Sequence, residues 1–226
     1  MSLPKLAIKN FTLKNNIFQG GLGAGFSLAP LAGAVSTEGG FGIVSSAGLR
    51  SIVSARDGKP VDTYTAVRIE LERTKDLSNG KPVGINVMWA LVGDYEDTIR
   101  ASIDAGIDAI VSGAGLPLGL PTIKPPGHTA LIPIVSSARA LEIIVKRWER
   151  TDYRPDAVVL EGPLAGGHLG FKMSEIEDPK FALEKLLPPV LEVAHKHGDF
   201  PVIVAGEFTL TKTSCCSQRS EQVVYK

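Results

Sequence analysis

Ala157-Val158-Val159-Leu160-Glu161-Gly162-Pro163-Leu164-Ala165-Gly166-Gly167-His168-Leu169-Gly170 joins a short apolar run to a carboxylate, then to a loop of small residues carrying one imidazole. The run is uniformly apolar, as a strand covered on both faces must be. The same order recurs along the chain: a β-branched run, then glycine or small polar residues, then a helical pattern. Strands are predicted at 17–20, 42–45, 83–88, 109–112, 131–136, 157–161 and 202–205, and helices at 27–38, 63–76, 95–105, 138–150 and 178–196. The connection 113–127 is rich in glycine and proline and is expected to hold at most a short turn. Seven apolar strands separated by helices describe an α/β fold with a parallel sheet.

Such a sheet closes as a (β/α)8 barrel or stays open and doubly wound. Small residues follow nearly every strand, in Gly20-Gly21-Leu22-Gly23, Ser45-Ser46, Ser112-Gly113, Ser136-Ser137, Gly162 to Gly167 and Ala205-Gly206. A barrel gathers all of these on its C-terminal rim, where ligand sites are built. An open sheet needs only those at its switch point. The barrel is therefore favoured, as a TIM-like barrel truncated after its seventh strand. After Gly206 the text turns polar and aperiodic, so the expected organisation is a barrel over 1–206 and an atypical tail over 207–226 that is shifted in frame or disordered.

With 24 Lys+Arg against 24 Asp+Glu in 226 residues, the net charge is zero, which disfavours a nucleic-acid surface or a polybasic membrane surface. The 44% hydrophobic content excludes disorder of the whole chain. No apolar run of membrane-spanning length and no secretory leader pattern occurs, so a cytoplasmic protein is expected. Both cysteines are the adjacent pair Cys215-Cys216, which offers neither a disulfide framework nor zinc-ligand spacing.

Four features carry chemistry. His168 follows two glycines at a strand end, where an imidazole can exchange a proton or hold an anion near neutral pH. The competing reading is a histidine that merely caps the next helix. Gly20 to Gly25 is glycine-rich but lacks G-x-G-x-x-G in register and the ribose-binding acid beyond it. Bare backbone there suits a flat ring system better than a pyrophosphate, or else a tight turn. Asn86 is an amide in a run otherwise built for the core, and a ligand or neighbouring backbone must satisfy it. The apolar loop 113–121 walls a pocket or is simply buried. His128, His195 and His197, with Lys14, Lys81 and Lys124, read as surface groups.

Ile17-Phe18-Gln19-Gly20-Gly21-Leu22-Gly23, Gly84-Ile85-Asn86-Val87-Met88 and above all Glu161 to Gly170 resemble the nitronate monooxygenase (2-nitropropane dioxygenase) family, which also contains FMN-dependent enoyl-[acyl-carrier-protein] reductases. The resemblance spans roughly 16–206 and implies an FMN-binding barrel. It implies that Gly20, Gly21 and Leu22 pack on the flavin, with Asn86 and Met88 near its ring. By the same likeness Glu161, Gly166 and Gly167 touch the cofactor, Ala205 and Gly206 begin its phosphate cradle, and His168 is the catalytic residue beside the substrate. The implied reaction is oxidation of an alkyl nitronate with O2 to a carbonyl compound and nitrite. The alternative is reduction of an enoyl thioester, with NAD(P)H as electron donor.

Three departures stand out. The fifth predicted strand has no basic residue, Glu207 replaces a usual glycine, and the eighth strand with its phosphate loop is not recognisable. An incomplete barrel that associates with itself and has no catalytic function is therefore a second reading. A flavin-free barrel isomerase or lyase that binds phosphate is a third.

Overall fold

The computed structural model describes residues 5–206 and the strand 223–225. The chain opens with a hairpin of β1 (Leu6–Ile8) and β2 (Phe11–Leu13), followed by α1 (Ala29–Thr37) and β3 (Gly42–Ser45). Helices α2 (Leu49–Asp57) and α3 (Thr63–Leu77) lead to β4 (Val83–Met88), and α4 (Val92–Asp104) leads to β5 (Ala109–Gly113). The single turn α5 (Leu120–Ile123) precedes β6 (Ala130–Val135), then α6 (Ala138–Glu149), β7 (Val158–Glu161), α7 (Leu183–Lys196), β8 (Val202–Ala205) and β9 (Val223–Tyr225).

Strands β3 to β8 pair in chain order, every pair parallel. This is a six-stranded parallel half-barrel with helices outside, an incomplete TIM-like barrel. Alternation along each strand divides its side chains between two cores. Ile85, Val87, Ile110, Leu131, Val158, Leu160, Val202 and Val204 pack outward against the helices. Ile43, Ala109, Val111, Ala130, Ile132, Ala157, Val159, Ile203 and Ala205 form the inner core.

The hairpin plugs the N-terminal end of that inner core. Leu6, Ile8, Phe11 and Leu13 are buried in it, and the Phe11 ring stacks on Phe41 at 5.0 Å. Lys9, at the hairpin turn, donates to the Thr129 carbonyl (2.9 Å) and the Tyr153 hydroxyl (3.0 Å), which ties the plug to the barrel floor. Two aspartates brace the same floor. Asp108 Oδ2 accepts the Val83 N–H (2.9 Å), and Asp156 Oδ2 accepts the Leu131 N–H (2.8 Å). In each case an aspartate one or two residues ahead of a strand satisfies an amide at the start of the strand two elements earlier.

Helix α1 starts at Leu28, which cannot cap it with a side chain. The fully buried Glu70 does so from α3: Oε1 accepts the Ala29 N–H (2.7 Å) and Oε2 accepts a bond from Arg56 (2.6 Å). A buried carboxylate is tolerable here because both oxygens are satisfied and a helix N-terminus favours negative charge.

The differences from expectation are local. The predicted first strand shrinks to one parallel bridge, Phe18 to Phe41, in which Phe41 N–H donates to Ile17 C=O (2.8 Å) and Gln19 N–H to Phe41 C=O (3.0 Å). The hairpin and α2 were not expected. Helix 178–196 begins as a separate 3-10 turn, Pro179–Phe181, before α7. The edge of β8 is paired with β9, antiparallel. The expected tail otherwise lies outside the described residues. No helix of the described residues is long and apolar enough to cross a membrane.

Candidate functional site

Strand parity decides which residues face the barrel interior at its C-terminal mouth. On β4 the buried outward set is Val83, Ile85 and Val87, so Gly84, Asn86 and Met88 face inward. On β7, Ala157 and Val159 face inward, and Glu161 continues that face one layer higher. Ala205 closes the inward row of β8 opposite Glu161 in register. Asn86, Met88, Glu161 and Ala205 therefore share one interior rim. The register repeats this from strand to strand, since Ser45 pairs with Asn86 and Met88 with Gly113.

The rim has two clusters. In the first, the loop after the Phe18 bridge folds over β4. A Cβ on Gly21 would overlap the Asn86 Cβ and stand 3.0 Å from its Cγ, so only glycine lets this backbone approach. The loop is held by a hub that the sequence did not reveal. Ser27 Oγ accepts the Leu22 N–H (3.0 Å) and donates to the Gly20 carbonyl (3.3 Å). Gln19 Nε2 donates to Ser27 Oγ (2.9 Å) and to the Ile43 carbonyl (3.1 Å), fixing the hub to β3. A serine ahead of a helical run reads as an ordinary cap, which concealed its role. Gly20 has nothing within 4 Å of an added Cβ, so its backbone faces open space. The Asn86 side-chain amide is half-buried and makes no hydrogen bond within the described residues.

The second cluster is at β7 and β8. Gly162 N–H donates to the Ala205 carbonyl (2.9 Å), and a Cβ on Gly206 would lie 3.4 Å from the Ala165 amide nitrogen. Gly206 has φ +128°, a conformation that suits glycine. Glu161 is half-buried and accepts the backbone N–H of Gly170. Burial dominates over that bond and pushes its carboxyl up to about 7. Between the clusters hangs the segment with Gly166, Gly167 and His168, all exposed. Added Cβ atoms at the two glycines would meet nothing within 4 Å. His168 makes no hydrogen bond within the described residues. The structure thus joins Gly21 to Asn86 and Glu161 to Ala205 and Gly206, and leaves His168 free above them.

An apolar fringe surrounds this mouth. Phe26 (70% exposed), Val92 (76%, at the start of α4) and Met173 (85%, in a 3-10 turn) are exposed beyond the strand ends, as are Leu22, Trp89 and Leu164. A cavity of about 340 Å³ opens behind the β7 loop against Pro163, Leu164 and Leu183, and Glu177, Asp178 and Glu184 also line it. Three carboxylates make it unsuited to a phosphate. The inward rim, not this hollow, has the bare backbone a planar ring requires. Among the described residues no cluster of His, Cys, Asp or Glu is placed to hold a metal ion.

Of the groups expected on the surface, Lys124 pairs with Asp104 and His195 with Asp199 (3.1 Å). His197 is the exception: it is partly buried, with Nδ1 3.1 Å from Glu149 Oε1, and its Nε2 has no partner. The loop 113–127 is anchored where the Trp148 indole N–H donates to the Pro117 carbonyl (3.0 Å).

Fold and rim together define a barrel of the ligand-binding kind, with glycine loops and inward polar groups gathered at the strand C-termini. The chain belongs to the nitronate monooxygenase family, whose model matches residues 5–213. Among solved structures, FabK from Thermotoga maritima is 25% identical with a TM-score of 0.63, over 86% of this chain and 51% of that one. Nitroalkane oxidase from Streptomyces ansochromogenes is 21% identical with a TM-score of 0.65, over 86% of this chain and 59% of that one. The enoyl reductase domain of MlnA from Bacillus amyloliquefaciens is 18% identical with a TM-score of 0.56, over 82% and 46%. The chain thus spans about half the length of these structures. No curated protein matches the sequence.

Proposed function

We propose that this barrel holds FMN at its mouth and acts as a flavin-dependent oxidoreductase of the nitronate monooxygenase type, converting an alkyl nitronate and O2 to a carbonyl compound and nitrite. The observation that carries this reading is the close packing of Gly21 on Asn86, which leaves the bare backbone of Gly20 and a free side-chain amide facing the mouth. That surface fits a flat ring with polar edges. Gly20, Gly21, Leu22, Asn86 and Met88 would hold the ring from one side, and Glu161, Gly166 and Gly167 from the other. Ala205 and Gly206 would start the phosphate cradle. When bound, FMN supplies the electron-accepting centre.

The chain's own residues do the rest. His168, on a loop free of other contacts, donates a hydrogen bond to the anionic oxygens of the nitronate and holds it over the ring site. Asn86, fixed by Gly21 and by its carbonyl accepting the Ser46 N–H (3.0 Å), offers an oriented amide to the ring edge. The apolar fringe excludes water from the mouth and receives the alkyl part of the substrate.

A second reading is FMN-dependent reduction of an enoyl thioester with NAD(P)H. It is favoured by the extent of the apolar fringe, which suits an acyl chain, and by the likeness to FabK. The test is to load the purified protein with FMN and measure nitrite release from an alkyl nitronate beside NAD(P)H-dependent consumption of an enoyl thioester. Nitrite release supports the first reading, and thioester reduction alone supports the second. A protein that neither binds FMN nor turns over either substrate refutes both.

A further inference from the structure

Ser45 ends β3 on the inner face of the barrel: Ile43 packs in the inner core and Val44 in the outer one, which turns the next side chain inward. It is paired in register with Asn86 on β4. Its surroundings are clamped, since Ser45 N–H donates to Ser27 C=O (2.8 Å) and Ser46 N–H to Asn86 C=O (3.0 Å). Ser27 also holds the glycine loop through its hydroxyl, so loop, β3 and β4 are fixed to one another here. The Ser45 hydroxyl takes no part in this. The residue is only 4% exposed, yet Oγ makes no hydrogen bond within the described residues. A Cβ on Gly23 would stand 3.7 Å from it, which directs the hydroxyl at the glycine loop. Among the described residues His197 Nε2 is the one sealed side-chain nitrogen or oxygen without a partner, so Ser45 Oγ reaches open space.

Two polar side chains, Ser45 and Asn86, thus stand side by side without partners on a wall otherwise made of Ile43, Val111, Ile132 and Val159. Buried polar groups ordinarily have hydrogen-bond partners. Two neighbours left open on an apolar wall point to a ligand that supplies both bonds. A hydroxyl and an amide can each donate and accept. We propose that Ser45 is a cofactor-binding residue: its hydroxyl, together with the Asn86 amide, bonds the pyrimidine edge of the flavin, where an N–H lies between two carbonyls. The assignment rests on the flavin reading above and adds to it the edge of the ring that meets β3 and β4. Strand β7, from which His168 hangs, lies four places along the sheet, so Ser45 and the imidazole address different parts of the mouth. In the cofactor-free protein the Ser45 hydroxyl supports nothing, and exchanging it for a hydrogen keeps the shape of the wall.

The experiment combines urea unfolding of cofactor-free wild type and Ser45→Ala with fluorescence titrations of both proteins against FMN and against FMN methylated at the pyrimidine N–H. Without cofactor, Ser45→Ala should unfold at a midpoint no lower than wild type. It should bind FMN about threefold to tenfold more weakly, the loss of one hydrogen bond between neutral groups. Wild type should bind the methylated flavin at least about tenfold more weakly than FMN, because the methyl group removes the donor and crowds the wall. A cofactor-free Ser45→Ala protein less stable than wild type overturns the proposal, since the hydroxyl would then serve the fold. Wild-type FMN affinity in Ser45→Ala overturns it too and leaves the flavin reading standing. Equal affinity of wild type for the two flavins turns a different edge of the ring toward β3 and β4, with the same consequence. A wild type that binds no FMN overturns both readings.

Discussion

The backbone of Gly21 lies flat on the side chain of Asn86, so close that a Cβ on Gly21 would overlap the Asn86 Cβ and stand 3.0 Å from its Cγ. One side chain on β4 thereby props the loop that forms one wall of the mouth. Gly21→Ala must move either the loop or the amide, and both belong to the proposed ring site. We expect FMN affinity to fall by about tenfold or more, equivalent to about 1.4 kcal/mol, with little loss of secondary structure. Titration of flavin fluorescence against variant and wild type measures this.

His168 supports nothing in the fold, being exposed and without hydrogen bonds in the described residues. His168→Ala should leave the unfolding midpoint and FMN affinity near wild type. Turnover should fall by about a hundredfold or more if the imidazole exchanges a proton or holds the anion. Steady-state kinetics at saturating FMN separate the two effects, and a variant with full turnover removes the role assigned to this side chain.

Glu161 links pH to stability. Burial raises its carboxyl from the ordinary 4.5 to about 7 in the fold. The folded state then holds a proton that the unfolded chain has released. The associated stability is complete below about pH 4.5 and is lost as pH rises through 7. Glu161→Gln should therefore gain stability relative to wild type across that window, by at most about 3 kcal/mol before solvent screening reduces it. Urea denaturation of both proteins at pH 5 and pH 8 gives the difference. Asp108, also raised by burial, cancels in the comparison.

Glu70 should be the most sensitive of the buried acids. Its removal leaves the Ala29 N–H without its acceptor and takes from Arg56 one of two carboxylate partners, Asp57 (2.9 Å) remaining. Glu70→Ala is expected to cost about 1–3 kcal/mol, the penalty of one buried amide left without an acceptor. A thermal unfolding curve shows the loss.

How far these relationships could be read in the sequence depended on their range. The strands from β3 to β8 were legible because each is a continuous apolar run bounded by small residues. Asn86 stood out as an amide in an apolar run, whereas the cofactor roles of Glu161 and Ala205 came from the family resemblance; period two explains why the three share one rim. The plug hairpin escaped because two strands of three residues are too short for any alternation to show. Helix α2 escaped because its buried face is only Leu49 and Val53, one turn apart. The Ser27 hub escaped for a different reason. It depends on hydrogen bonds across a loop, and nothing in residue type distinguishes a serine that organises a loop from one that caps a helix.

Binding of a flavin on the Gly21–Asn86 wall is measured by titrating the purified protein with FMN and following fluorescence quenching in wild type and Gly21→Ala. Saturable binding of one FMN per chain, weakened by the substitution, is the predicted result. Failure of the wild type to quench FMN, or equally tight binding by Gly21→Ala, would rule out a flavin on this wall.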